Sequence, residues 1–326
     1  MKLDEVVEQL RKKFGEGILM TLADKPTVVP VISTGSLAVD RALGIGGVPR
    51  GRITEIFGSE SAGKTTLAQH IAAEAQKNGG QVVYIDMENK LDPTYMQACG
   101  IDASTLMLSQ PPSGTAAFDI IRALLANDAV DLIIVDSVAA LSASAELDAD
   151  AGDQFMGVQA RMMSQNLKVT MGTLGLSRTA LVFINQIRMK IGVMYGNPET
   201  TPGGKALLFY ASVRMRVSHV GNLGPKGKEY GIESKVKVVK NSLAAPFKQA
   251  EFEIVWGKGI SREADVLNVA AETGVVVQKG SWYYYNDEAI GNGKEVAKGW
   301  LAAHPEQMAE IREKVLNAQD EAHAEP

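Results

Sequence analysis

The chain has one cysteine, Cys99, in 326 residues, which excludes an internal disulfide and any multi-cysteine zinc site. Cys99 falls in a helix-like stretch and reads as an inert buried thiol. Histidine is scarce too: His70, His219, His304 and His323 are scattered without metal-ligand spacing. No window approaches the run of about 20 apolar residues that a membrane helix needs, and the charged segment 1–15 is no secretory signal. No membrane partner and a cytoplasmic location are therefore expected. An excess of positive charge is also missing. The formal net charge of −5 argues against non-specific nucleic-acid binding, although a local basic groove matters more than the total. With 45% hydrophobic and 22% charged residues, the chain can bury a substantial core, enough for one large α/β domain with smaller appendages.

What is present is concentrated in Gly58-Ser59-Glu60-Ser61-Ala62-Gly63-Lys64-Thr65-Thr66, which fills every fixed position of the phosphate-binding loop pattern G-x-x-x-x-G-K-[ST]. Glycines let backbone N–H groups turn inward around phosphates, Lys64 supplies a point charge for the β and γ oxygens, and the Thr65 hydroxyl can ligate Mg²⁺. The context agrees. Residues 52–57 alternate with β-branched members, and 66–75 are rich in helix formers before Asn78-Gly79-Gly80. Strand, glycine loop and helix aim a helix N-terminus at an anion.

Residues 3–14 read as a short amphipathic helix, with a strand over 15–22 and a connector to residue 30. This N-terminal region, 1–30, is expected to pack on something else, such as another subunit. Residues 31–260 carry an α/β pattern, with strands near 53–57, 82–86, 106–109, 132–136 and 181–185 in a mostly parallel sheet with helices on both faces. Strands near 212–220, 235–239 and 251–256 extend it antiparallel. Residues 261–318 form a small α+β domain: a helix over 262–273, a hairpin around 282–285 and a helix over 305–316. An acidic tail, 319–326, is expected to be disordered.

Leu132-Ile133-Ile134-Val135-Asp136 is a buried-strand run ending in a carboxylate, the form of a Walker B strand, so Asp136 is expected in the magnesium shell. Val82–Glu88 ends with Asp86 and Glu88, which alternation places on one side of a strand. Either can polarise water for attack on a γ-phosphate, or cap the next helix. After the strand ending in Asn185-Gln186, residues 187–205 are glycine-rich, partly basic and partly apolar, a loop long enough to be functional. Apolar Ile, Met and Val beside Arg and Lys suit wedging between bases while cations hold phosphates.

These stretches, together with Ile32–Leu37, Asp92-Pro93, Val135–Leu141, Arg161–Gln165, Phe209–Arg214 and Ala244–Phe252, closely resemble the bacterial RecA recombinase family over roughly residues 10–300. The resemblance implies a RecA-type ATPase core, ATP with Mg²⁺ bound between subunits, and a homo-oligomeric helical filament on single-stranded DNA. Homology search and strand exchange with double-stranded DNA follow from it, as does a LexA-like repressor as a further partner. It makes Glu88 the general base and Gln186 the relay into a second DNA loop that includes Arg188, Met189, Lys190, Ile191, Gly192, Gly203, Gly204 and Lys205. The first DNA loop is implied at Met156, Gly157 and Arg161, with Ser164 and Lys168 behind it. Asp92, Tyr95 and Trp256 match adenine-side positions, and Phe209 matches a subunit-interface residue. Lys240 matches a cation reaching the neighbour's γ-phosphate. Here the sequence departs from the family's usual pattern: Lys240-Asn241-Ser242 keeps the first of two commonly basic positions, Lys205 stands where Asn is common, and Leu208 where Lys is common. The alternative is an ATP-gated, DNA-coating filament or coprotease scaffold with weak hydrolysis.

Overall fold

The computed structural model describes residues 3–15, 18, 19, 21, 28–141, 157–189 and 199–324. The chain divides into two units, 1–30 and 31–326. In the first, α1 (Leu3–Phe14) places Asp4 and Glu5 in its first turn and Arg11, Lys12 and Lys13 in its last, complementing the helix dipole. The expected strand over 15–22 is not formed by its described members 15, 18, 19 and 21. Gly15 leaves the helix at φ 99°, and the chain folds back so that Arg11 Nη2 donates to the Leu19 carbonyl at 3.0 Å. Residues 16, 17, 20 and 22 lie outside the described residues.

The second unit opens with β1 (Val31–Ile32), α2 (Leu37–Leu43) and β2 (Val48–Pro49), leading into β3 (Ile53–Gly58). Then come α3 (Lys64–Lys77), β4 (Val82–Asp86), α4 (Pro93–Ala98), β5 (Met107–Ser109), α5 (Gly114–Ala126) and β6 (Leu132–Asp136). They are followed by α6 (Val158–Leu174), β7 (Ala180–Gln186), the short pair β8 (Arg188–Met189) and β9 (Glu199–Thr200), and α7 (Ala206–Tyr210). Four more strands, β10 (Val213–Leu223), β11 (Gly231–Asn241), β12 (Gln249–Val255) and β13 (Gly259–Ile260), complete a nine-stranded sheet of order β13-β12-β11-β10-β3-β7-β6-β4-β5. It is parallel from β10 to β5 and antiparallel from β10 to β13.

The central strands are buried almost throughout and largely apolar because both faces are covered. Val82 and Tyr84, with Leu132 and Ile134, pack on one side with Leu67 and Ile71 of α3. Val83 and Ile85, with Ile133 and Val135, pack on the other with Phe118 of α5 and Leu167 of α6. Parallel strands buried in this way bring the C-terminal ends of β3, β4, β6 and β7 to one edge, where ligands bind in open α/β sheets.

Residues after β13 form α8 (Arg262–Glu272), the meander β14 (Val277–Lys279), β15 (Trp282–Tyr285) and β16 (Glu288–Asn292), then α9 (Lys294–Ala303) and α10 (Pro305–Ala324). They enclose their own core around Leu267, Tyr285, Leu301 and Ile311. The tail expected to be disordered from Gln319 instead continues α10 to Ala324. Ala318, Gln319, Glu321, Ala322 and Ala324 are helix-compatible residues, and Pro326 is the first breaker after Pro305. No described helix is long and apolar enough to cross a membrane.

Candidate nucleotide site and its links to the loops

Gly58 ends β3, and the loop 59–63 turns directly into α3. Gly63 sits at φ 94°, and a Cβ there would lie 2.3 Å from Ile254 Cδ1, so both the turn and the fit against β12 require glycine. Ser234 on β11 donates to the Ala62 carbonyl at 3.0 Å and pins the loop from behind. Gly63 caps α3 without a side-chain bond, which leaves its first-turn N–H groups for an anion. Lys64 is buried and donates to the Ser59 carbonyl at 2.6 Å. Burial pulls its ammonium below the usual value, opposed by the carboxylates of Asp136, Glu60 and Glu88.

β6 delivers Asp136 beside the loop, where Oδ2 accepts from Thr65 at 3.0 Å and from Tyr84 at 2.9 Å. Burial lifts the Asp136 carboxyl above its ordinary range, the two hydrogen bonds pull it back, and Glu88 and Asp86 add repulsion. A hard cation relieves that crowding, and a hydroxyl with a carboxylate is a donor set suited to Mg²⁺.

The geometry separates the two carboxylates that the sequence left equivalent. Asp86 turns back on its own chain, accepting the N–H groups of Glu88 at 3.1 Å and Asn89 at 2.9 Å. Glu88 faces the cavity instead: Oε1 accepts from Ser137 at 2.6 Å and Gln186 at 3.2 Å, and Oε2 from Lys90 at 3.1 Å. Burial alone would raise its carboxyl, but bonds from Ser137, Lys90 and Gln186 and the Lys90 charge outweigh this, leaving it below the usual value. Glu88 is therefore ionised near neutral pH, as a proton acceptor must be. Ser137, Tyr84 and Lys90 were given no role in the sequence reading. The step from Val135-Asp136 to Ser137 was the available signal for the first.

Lys64, Thr65, Glu88, Asp136, Ser137 and Gln186 line one cavity of about 390 Å³. A model of the RecA N-terminal domain matches residues 1–261, and one of the RecA C-terminal domain matches residues 264–320. The chain belongs to the RecA family. Protein RecA of Thermus aquaticus is 51% identical over 320 residues, covering 98% of this chain and 94% of the relative. That of Rubrobacter xylanophilus is 52% identical over 305 residues, covering 93% and 89%. That of Symbiobacterium thermophilum is 50% identical over 317 residues, covering 96% and 91%. The family is one of DNA-dependent, nucleotide-binding ATPases of recombination and repair, and the chain is one of them.

The remaining expected site residues separate by position. Tyr95 reaches Thr66, its hydroxyl 3.0 Å from Oγ1, whereas exposed Asp92 caps α4 through the Thr94 N–H. Trp256 follows β12 on a turn and is 56% exposed. Gly157 caps α6, on which Arg161, Ser164 and Lys168 form one exposed stripe at i, i+3 and i+7 spacing. Met156, Lys190, Ile191 and Gly192 lie outside the described residues.

Arg188 and Met189 are exposed and pair with Thr200 and Glu199, closing the base of the second loop. Gly203 and Gly204 seat its returning arm against the turn after β6 and the first turn of α6: a Cβ at Gly203 would lie 2.9 Å from Val138 Cγ1, and one at Gly204 2.7 Å from Ala160 Cβ. Lys205, exposed, caps α7, on which Phe209 is 72% exposed. Lys240 does not join the cavity of its own chain. It pairs in register with Arg214, which pairs with Glu55, three residues short of Gly58. Its Nζ donates to the carbonyls of Leu208 at 3.0 Å and Phe209 at 2.9 Å.

Proposed function

We propose that the chain binds ATP with Mg²⁺ in the cavity over residues 58–66, assembles head to tail on single-stranded DNA, and catalyses homologous pairing and strand exchange, with hydrolysis promoting release. Thr65 and Asp136 would hold the Mg²⁺, which neutralises charge on the phosphates. Lys64 and the first-turn N–H groups of α3 bind the phosphates, and Tyr95 with Asp92 and Trp256 flanks the base. Glu88 takes the proton of the attacking water, oriented by Ser137 and Gln186. Lys240 is supplied to a neighbour's site. The exposed stripe of Arg161, Ser164 and Lys168, with the loop from Arg188 to Lys205, meets DNA, and Phe209 meets the next subunit. The segment 1–30 docks onto a neighbour, and residues 261–318 act as a separate small domain. Kinship to the family supports cytoplasmic work on DNA and a LexA-like repressor as partner.

The observation that carries this reading is the shared bond at Glu88. One carboxylate touches both Ser137, which follows Asp136, and Gln186, two residues before the exposed arm of the DNA loop. Any change at a γ-phosphate that shifts Gln186 is therefore felt at Arg188. Glu88→Gln should lower DNA-stimulated hydrolysis by roughly 100-fold or more while ATP-dependent filaments persist. Normal turnover in that variant removes Glu88 as the base. A wild-type protein unstimulated by single-stranded DNA and unable to form D-loops leaves only a DNA-coating filament.

A further inference from the structure

The cavity over the phosphate loop is lined by four carboxylates, Glu60, Asp86, Glu88 and Asp136, and by two ammonium groups, Lys64 and Lys90. A triphosphate entering such a site meets an excess of negative charge that a single lysine and one divalent cation answer poorly. The two lysines come from opposite walls, Lys64 from the first turn of α3 and Lys90 from the turn after β4. Yet both sit in the field of the same three carboxylates, Glu60, Glu88 and Asp136. Geometry puts the Lys90 ammonium at the same cavity as Lys64: Lys90 is part of its lining, and its Nζ lies 3.1 Å from Glu88 Oε2.

The three partners of Glu88 differ in how firmly they are held. Ser137 is buried, and Gln186 ends a central strand. Lys90 has a side chain 77% exposed, and its bond to Oε2 is a solvated ion pair of the weak kind. It can leave with little loss, whereas the other two are set by the framework. Beneath it Leu91 packs against the core, so the backbone that carries Lys90 is anchored while its ammonium is free to swing.

Resting on the nucleotide site proposed above, we propose that Lys90 is a second phosphate-binding cation of this chain, paired with Glu88 in the free protein and handed to the γ-phosphate oxygens when ATP binds. The exchange puts the positive charge where the substrate is most negative, and it clears Glu88 Oε2 to accept a proton from water. Lys90 thus acts on ATP rather than on ADP, because its partner in the bound state is the terminal phosphate.

The test is calorimetric titration of the full chain with Mg-ATPγS and Mg-ADP, for wild type, Lys90→Met and Lys90→Arg. In Lys90→Met, ATPγS binding should weaken about fivefold to tenfold, the size of one solvent-exposed charge contact, with ADP binding changed less than about twofold. Lys90→Arg keeps the charge and should bind both nucleotides as wild type does. In steady state KM for ATP should rise in Lys90→Met while kcat stays within about twofold, because the base is already clear. Unchanged ATPγS affinity, an equal loss of ATPγS and ADP, or a fall in kcat at constant KM overturns the assignment. Failure of wild type to bind either nucleotide overturns the site itself, a result distinct from all of these.

Discussion

Asp40 and Asp265 are buried carboxylates that meet around the start of α2. Asp40 accepts from Ser33 Oγ at 2.6 Å, the Thr34 N–H at 2.8 Å and Thr34 Oγ1 at 2.7 Å. Asp265, on α8, accepts from Ser36 Oγ at 2.7 Å and the Leu37 N–H at 2.5 Å, so the small domain caps a helix of the core. Burial pushes Asp40 up to about 7, against its hydrogen bonds and with Asp265 adding repulsion. It pushes Asp265 up to about 6, with the bonds and Arg312 pulling back. Both values lie above the unfolded one, so between roughly pH 4 and pH 7 the native state holds protons that the unfolded chain releases. These groups therefore stabilise the fold on the acid side, and their contribution is lost as pH rises through the folded values. His70 works the other way: burial, with Arg262 nearby, holds it down to about 4, so acid costs stability as the unfolded chain takes up a proton. Asn matches the protonated carboxyl with one acceptor and one donor. Asp40→Asn should thus gain roughly 3–8 °C in Tm relative to wild type between pH 5 and pH 8. A Tm difference that is constant over that range contradicts the assigned burial penalty.

At the scale of elements, the loop proposed to meet DNA after Gln186 is held by its two arms. The outgoing arm leaves from Gln186, beside Glu88, and the Ile187 N–H bonds the Gly58 carbonyl at 3.2 Å. The returning arm is tied by Arg216, whose Nε and Nη2 grip the two Glu199 oxygens. Arg216 pairs in register with Phe57, so this grip is fixed one residue before the phosphate loop. A forked guanidinium–carboxylate contact is geometrically specific. Arg216→Glu should therefore lower DNA stimulation of hydrolysis roughly tenfold with DNA-independent hydrolysis little changed, and adding Glu199→Arg should restore most of it. A double variant no better than the single one removes the pair as the tie.

Much of this was legible in the sequence. Strands 82–86 and 132–136 run where their apolar, β-branched residues predicted, because both faces of a central strand are buried and nothing polar blurs the pattern. The hairpin strands β10 and β11 run longer than expected, to Leu223 and from Gly231, because their extensions carry Gly221, Asn222, Gly231 and Glu233, residue types that read as turn or surface rather than strand. At α10, a terminal position suggests disorder from Gln319, whereas helix propensity carries the helix to Ala324.

At the scale of the whole molecule, Lys240 stands apart from the nucleotide cavity of its own chain, bonded instead to the Leu208 and Phe209 carbonyls. Asp136 and Gln186 end parallel strands and Glu88 follows another by two residues, so motif reading placed them at one edge. The position of Lys240 follows from two strand registers that no motif encodes. By those registers it stands three residues back from Gly58 and two strands across, about 10 Å in each direction. A cation set there serves a triphosphate only if a neighbouring chain brings one, as in a head-to-tail assembly whose repeated heterologous contact gives a filament. Two defective variants then complement each other. Lys240→Ala keeps Glu88 and lacks the donated cation; Glu88→Gln keeps the cation and lacks the base. Each alone should lose roughly 100-fold in DNA-stimulated hydrolysis. Mixed in equal amounts before assembly, they create complete sites wherever a Lys240→Ala chain receives a Glu88→Gln neighbour, roughly a quarter of contacts in a randomly ordered heterologous array. Recovery towards that fraction of wild-type turnover is the expected outcome, and it should vanish when each variant is assembled on DNA before mixing. Turnover equal to the mean of the two parents would instead mean that Lys240 serves its own chain, against the register that sets it apart.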